Sequence, residues 1–272
     1  MNKLIEVEQV SFAYEPGMNV LNQLSIAFAP GVTAVLGENG AGKTTLMKLL
    51  KGLLKPTAGR IKIGGRDTRQ YSAAEIARHV GMIFQNPDEQ IFKSSVLDEV
   101  MFGPLQIGQS PAEAKERALA ALAALDLSDV EKENPYDLSY AARKRIGIAS
   151  ILAMNPEAII FDEPTIAQDQ QGLRRIGQIM SELKAEGKTV IAILHDMEFA
   201  ARYCERIVLL ARGGVIADGP PALVFANDDW LRQAGVKAPG LVRLGQALQL
   251  SQTTVTVEQF SQAFRTEKLR AD

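Results

Sequence analysis

Apolar residues along this chain come in two rhythms. The short runs LIEVEQV, VLNQLSIAF and VTAVL open the sequence, separated by turn residues such as Pro30-Gly31. They read as strands, the last one buried. LMKLLKGLL then takes a helical period and stops at Lys55-Pro56. RIKIGG predicts a strand and a turn, and HVGMIFQ another strand. From Asn86 to Met154 the character changes. SPAEAKERALAALAALDL carries a helix N-cap at Ser110, a proline at the first helical position (Pro111) and an apolar stripe. This stretch reads as a helical insertion. After it, AIIFDEP, a helix, TVIAILHD, a second helix and RIVLLARGG alternate strand with helix. Such alternation implies an α/β core built on a parallel sheet. From about Gly235 a short tail follows, in which LVRLGQALQL and VEQFSQAF are expected to form two small amphipathic helices.

Composition narrows the class of protein. The chain has 272 residues, 46% hydrophobic and 23% charged, which suits a soluble protein with one large core and subdomains. A formal net charge of -2 gives no overall basicity that would argue for nucleic acid as a partner. The single cysteine, Cys204, cannot form an internal disulfide, in keeping with a reducing compartment. MNKLIEVEQV has acidic residues where a signal peptide would need an apolar core. The uncharged run Asn19 to Gly37 contains polar residues and the Pro30-Gly31 break, whereas a membrane-spanning helix needs about 20 mainly apolar residues. A membrane role is therefore expected to run through a partner.

The candidate chemistry begins at Gly37-Glu38-Asn39-Gly40-Ala41-Gly42-Lys43-Thr44, which matches G-x-x-x-x-G-K-[ST] between a buried strand and a helix. Glycines let the backbone turn sharply, so that successive N–H groups face a phosphate. The following helix adds its positive dipole end. In this motif Lys43 reaches the β- and γ-phosphates and the Thr44 hydroxyl ligates Mg²⁺. A second carboxylate is needed for the metal, and Ala158-Ile159-Ile160-Phe161-Asp162-Glu163 brings two acids to the C-terminal end of a buried strand. Asp162 would help to hold Mg²⁺, and Glu163 would orient or deprotonate an attacking water. His195 ends the next strand and should lie beside Glu163, where its ring could donate to the γ-phosphate. His79 has no such context and is expected to be structural.

These pieces, in this order, resemble the ATP-binding subunit of ABC transporters over Met1 to about Asn227. The resemblance implies a P-loop NTPase fold of the ABC ATPase type. Its parts would be a parallel-sheet core, an N-terminal antiparallel β subdomain and an inserted α-helical subdomain. The ATPase domain would span 1–232, with the insertion at 86–155, and a C-terminal extension would span 233–272. Tyr14 lies where that family stacks the adenine ring. Gln85 matches the glutamine of its Q-loop, with a metal-binding and catalytic role. Asp169 matches its D-loop aspartate, and His195 its switch histidine. The implied ATP-binding set is Tyr14, Gly37, Asn39, Gly40, Gly42, Lys43, Thr44, Thr45, Ser139 and Asp162. Thr44, Gln85 and Asp162 would share the metal.

QNPDEQIFKSSVLDEVMFGP, Gln85 to Pro104, together with APGLVRLGQAL and TVEQF in the tail, is similar to the ATPases of energy-coupling factor transporters. That group imports vitamins or transition metals. The likeness implies two ATPase subunits, a membrane scaffold contacted through Asp88 to Phe92, a substrate-binding membrane subunit reached indirectly, and a place at the cytoplasmic face of the membrane. Ile91 and Phe92 would then be exposed apolar residues serving an interface. Rival readings are a soluble non-transport ABC ATPase and a nucleotide-gated subunit with weak catalysis.

Leu138-Ser139 begins the family's signature, which would touch ATP bound by the partner subunit. The family pattern LSGGQ is replaced by LSYAA, departing at Tyr140, Ala141 and Ala142. Ser139 can still cap the helix and offer a hydroxyl. If Ala141 had to adopt φ > 0 or let a phosphate oxygen approach closely, its Cβ would cost roughly 1–2 kcal/mol. Arg143, Lys144 and Arg145 add positive charge that solvent would screen. The elements expected to act on the chain's own ATP are intact and the one facing the partner's ATP is altered, so a heterodimer with a different ATPase is expected over a homodimer.

Overall fold

The computed structural model describes residues 4–267. Residues 1–3 of the expected ATPase domain and 268–272 of the expected extension lie outside the described residues. Strand β1 (Ile5–Ala13) pairs antiparallel with β2 (Asn19–Phe28) and with β4 (Ala58–Ile63), and β4 pairs with the short β5 (Arg66–Asp67). This gives a four-stranded antiparallel sheet in the order β2-β1-β4-β5. Between β2 and β4 the chain leaves for β3 (Gly31–Leu36), the phosphate-loop motif and α1 (Lys43–Leu50). After β5 come α2 (Ala73–Ala77) and β6 (Val80–Ile83).

The second sheet has the order β10-β9-β3-β8-β7-β6. It consists of β3 and β6 with β7 (Ala158–Asp162), β8 (Thr189–Ile193), β9 (Arg206–Ala211) and the edge strand β10 (Gly214–Gly219). All of its pairings are parallel except that of β10 with β9. The central strands are continuously apolar because they are covered on both faces. Their alternation divides them between two cores. Val32, Ala34, Leu36, Ile159, Phe161, Val190 and Ala192 face one cluster; Val35, Ile160, Ile191 and Ile193 face the other, together with α1 and the antiparallel sheet.

Between β6 and β7 the chain forms α3 (Val96–Gln106), α4 (Pro111–Ala124) and α5 (Tyr140–Met154). Helix α4 opens as its sequence requires: the Ser110 hydroxyl accepts from Glu113 N–H while the Glu113 carboxylate accepts from Ser110 N–H. Helix α5 ends at Asn155, left-handed at φ 55, just before Pro156. The core then continues through α6 (Gln170–Ala185), α7 (Met197–Tyr203), α8 (Pro221–Phe225) and α9 (Asp228–Gln233). The tail forms α10 (Gly240–Ala247) and α11 (Val257–Glu267). Among the described residues no helix is long and apolar enough to cross a membrane.

One expectation is overturned in the loop after β6. Ile91 is 2% exposed and packs with Val96 and Val100, whereas Phe92 is 57% exposed. Ile91 N–H donates to Pro87 C=O at 2.9 Å, and the Tyr136 hydroxyl donates to Ile91 C=O at 2.7 Å, which turn the isoleucine inward. Phe92 is left outside, edge-on to Phe102, with the Lys93 ammonium 5.1 Å and 4.8 Å from the two ring centres. The loop is fastened by Glu99, 3% exposed, whose carboxylate accepts from Phe92 N–H at 3.0 Å and Lys93 N–H at 2.9 Å. Replacing Glu99 by Ala strands both donors. Glu99→Ala is expected to lower stability by about 2–3 kcal/mol in urea unfolding, with an unchanged denaturant slope. Unaltered stability would show that water takes over both donors without cost.

Candidate functional site

The C-terminal ends of β3, β6, β7 and β8 meet at one edge of the parallel sheet, where open α/β sheets bind ligands. From β3 the chain enters Gly37 to Thr44. Gly40 and Gly42 sit at φ 86 and 100, conformations that side chains rarely adopt. A Cβ at Gly42 would also lie 2.6 Å from the Leu21 side chain. The turn points its amides outward. Among the described residues, no protein acceptor takes the N–H of Asn39, Gly40, Gly42, Lys43 or Thr44. A helix N-terminus with free donors is an anion site. Lys43 is buried and donates to Gly37 C=O at 2.7 Å and Glu38 C=O at 2.9 Å. Burial holds its pKa below the usual lysine value, opposed by Glu163, Asp162 and Glu38. Thr44 is exposed in the first turn of α1, and Thr45 is buried beside it. Tyr14, 58% exposed, comes to the same loop from the end of β1, its hydroxyl 3.3 Å from Thr45 Oγ1.

Opposite the loop lie the acids of β7. Asp162 is 6% exposed, and burial together with the neighbouring Glu163 raises its pKa from 3.8 to about 6, against Lys144, Lys43 and Lys48. Glu163 follows with a left-handed backbone, φ 48. Its two carboxylate oxygens are taken from two sides: Gln85 Nε2 donates to one at 2.9 Å, and His195 Nε2 lies 2.9 Å from the other. Gln85 and His195 follow β6 and β8, so three adjacent strands converge on one carboxylate. Among the described residues there is no cluster of three His, Cys, Asp or Glu that could hold a metal alone. The donor set present, a hydroxyl at Thr44, an amide at Gln85 and a carboxylate at Asp162, is one of hard oxygens. It fits Mg²⁺ whose remaining ligands are phosphate oxygens and water.

The signature segment begins α5. The Ser139 hydroxyl accepts from Ala142 N–H at 3.2 Å and can still donate its own proton. Tyr140, Ala141 and Ala142 all lie within the first turn of α5 and none has positive φ, so no backbone strain arises at Ala141. The Tyr140 hydroxyl donates to Gln85 C=O at 3.3 Å, and Gln168 Nε2 donates to Ala141 C=O at 3.5 Å. Asp169 caps α6, its carboxylate accepting from Gly172 N–H at 2.7 Å. The expectation that Lys144 is a screened surface charge is wrong. It is 3% exposed, and its ammonium donates to Glu163 C=O at 2.6 Å. Arg143 pairs with Asp88 at 3.3 Å. A cavity of about 420 Å³ lined by Tyr71, Arg78, His79 and Glu157 sits at the opposite end of β6 and β7. His79 there lies 2.9 Å from the Glu157 carboxylate and takes no part in the edge just described.

This fold and site define a P-loop nucleotide-binding protein. The ABC transporter family matches residues 21–166, more than half of the chain, and the chain belongs to that family. It is an ABC-type ATPase. A Pyrococcus furiosus protein named for an ABC transporter ATP-binding role is 40% identical over 91% of this chain and 94% of its own length. The energy-coupling factor transporter ATP-binding protein EcfA of Carboxydothermus hydrogenoformans is 38% identical, with 90% of each chain covered. Among solved structures, cbiO1 from Clostridium perfringens, part of the ABC transporter complex cbiONQ, superposes with a TM-score of 0.77 at 31% identity, over 92% of this chain and 100% of that one. The cassette MJ0796, a dimer in a post-hydrolysis state bound to ADP and Pi, gives a TM-score of 0.73 at 27% identity over 79% of this chain and 98% of that one.

Asp162 generates a test of the site's electrostatics. A carboxyl whose folded pKa is raised favours the fold while protonated and loses that contribution as pH rises through about 6. At pH 7.5 the ionised form therefore destabilises the nucleotide-free protein, by up to about 3 kcal/mol for a shift of roughly two pKa units. Asp162→Asn is expected to raise the melting temperature at pH 7.5, with the gain shrinking below pH 6, while abolishing ATP hydrolysis. A lower melting temperature at pH 7.5 would refute this account.

Proposed function

We propose that this chain is the ATP-hydrolysing subunit of an energy-coupling factor type uptake transporter, serving vitamin or transition-metal import from the cytoplasmic face of the membrane. The likeness to EcfA, 38% identical with 90% of each chain covered, is what supports the type. A likeness confined to residues 1–232 could cover at most 232 of 272 residues, about 85% of the chain. The likeness to cbiO1 covers 92%, that to EcfA 90% and that to the Pyrococcus furiosus protein 91%, so all three take in part of the 233–272 extension. The division into an ATPase domain with an insertion at 86–155 and an extension from 233 is part of the same reading.

In this reading the free amides from Asn39 to Thr44 hold the phosphates. Lys43 turns from the carbonyls of Gly37 and Glu38 to the β- and γ-phosphates, and Tyr14 stacks on the adenine. Thr44, Gln85 and Asp162 hold Mg²⁺. That ion, when bound, neutralises charge developing on the phosphates. Glu163 orients or deprotonates the attacking water, and His195 donates to the γ-phosphate. The contacts of Gln85 and His195 with Glu163 describe a parked base. Both must loosen before His195 can turn to a phosphate and Gln85 to a metal. Ser139 and the α5 N-terminus face ATP on a second ATPase subunit, which we take to be a different chain with an LSGGQ-like signature. Phe92, exposed and edge-on to the half-buried Phe102 with Lys93 beside both rings, meets the membrane scaffold.

Glu163→Gln is expected to leave ATP affinity intact and to reduce steady-state hydrolysis about 100-fold or more. Turnover at the parent rate would remove Glu163 from this role. For the transporter type, the tagged chain is recovered from detergent-solubilised membranes of its host. A polytopic membrane protein and a second ATPase of different mass are expected in the complex. Phe92→Asp should lose the polytopic partner while the protein still binds ATP. Recovery without any membrane protein would overturn the transporter reading, and a homodimer hydrolysing at the full rate of the complex would overturn the heterodimer.

A further inference from the structure

We propose that Lys144 is a positioning residue for hydrolysis, tying the start of the signature helix to the peptide of Glu163. Resting on the reading of Glu163 given above, the inference adds a residue outside the phosphate loop and the strand-end acids. Three independent features meet at this point. Lys144 sits in the second turn of α5, counted from the Ser139 cap, and is 3% exposed. Its ammonium donates to Glu163 C=O at 2.6 Å. The residue it grips is held at φ 48, a conformation sparsely populated by non-glycine residues and persisting only when neighbours fix it.

The other groups that touch Glu163 do different work. Ile193 C=O accepts its N–H at 3.1 Å, and Gln85 and His195 hold the carboxylate. The Glu163 carbonyl takes a short bond from Lys144 at 2.6 Å and a long one from the Ile166 N–H at 3.5 Å, so Lys144 is the tighter of the two and the one that comes from α5. A buried ammonium is costly to place unless it is hydrogen-bonded, and here both the carbonyl and the negative charges of Glu163 and Asp162 offset that cost. A neutral, non-donating side chain of similar length would fill the space and leave the carbonyl only the long bond from Ile166. The carboxylate then loses its fixed direction, and a misplacement of about 1 Å can cost 100-fold in rate. Because Lys144 is one helical turn beyond Ser139, a displacement of the α5 N-terminus is transmitted to the backbone of Glu163 through a single side chain.

The test compares Lys144→Met, Lys144→Arg and Glu163→Gln, alone and with Lys144→Met combined with Glu163→Gln, in the assembled ATPase complex. Lys144→Met is expected to lower kcat at least about tenfold, with KM for ATP and nucleotide Kd within twofold of the parent. Lys144→Arg, which keeps a charged donor, should recover part of that loss. In the Glu163→Gln background, Lys144→Met should change the residual rate less than twofold, since the group it positions is gone. An unchanged kcat in Lys144→Met, with Glu163→Gln inactive, would overturn the positioning role alone. A loss of rate that is additive with Glu163→Gln, or that tracks lost nucleotide binding, would also overturn it. Full activity in Glu163→Gln would overturn the reading of Glu163 itself.

Discussion

Charges that a doubly covered parallel sheet cannot hold in its middle must gather at its ends, and in this molecule they gather on one carboxylate. Glu163 is reached by Gln85 after β6, by His195 after β8 and by Lys144 from α5. Two of these partners belong to the sheet and one to the helical segment between β6 and β7. Any rotation of that segment against the sheet has to change the grip on Glu163. The apolar strands are held firmly on the sheet side. Their side chains are divided between two cores and fixed by parallel ladders on both edges. The helical segment leans on the sheet through α5 and the loop that follows β6.

The same crowding sets the electrostatics of the site. Burial raises Asp162 to about 6, lowers Lys144 to about 8 and lowers Lys43, so each group is pushed away from its charged form. The opposite charges around each one limit the shift without removing it. A phosphate against Lys43 and a cation against Asp162 would supply what both groups lack. The site is therefore matched to a metal-bound nucleotide, the usual exchange of stability for function.

Much of this was legible in the sequence, for identifiable reasons. Period-two and continuous apolar runs named β1, β2, β3, β7, β8 and β9, and the capping residues named α4. Glycine spacing marked the phosphate loop, and strand ends marked Asp162 and His195. Ile91 and Lys144 escaped because their fates depend on distant partners. Ile91 and Phe92 are adjacent and both apolar; the carbonyl that turns Ile91 inward is held by Tyr136, and Gln90 beside it is anchored to Gly147 C=O at 2.8 Å. Lys144 stands in a run of three cations, which reads as a solvated face. Only the packing of α5 against the end of β7 distinguishes the buried member from its neighbours.

The altered signature also looks different in three dimensions. Glycine at positions 140 and 141 would serve left-handed conformations or close approaches that side chains forbid, and the helical backbone here asks for no left-handed residue. What Tyr140 adds is a contact glycine cannot make. Its hydroxyl binds Gln85 C=O, and its ring lies 5.9 Å from the Arg143 guanidinium, which pairs in turn with Asp88. The signature helix is thereby linked within one chain to both ends of the loop that carries Gln85. Gln85 in turn donates to Glu163, which Lys144 of the same helix holds from below. The departure from glycine thus replaces freedom of approach by a closed circuit of side-chain contacts, running from α5 through Gln85 to Glu163 and back. A site wired in this way gains stiffness on its own side of the interface, at the expense of room for whatever phosphate meets it from across.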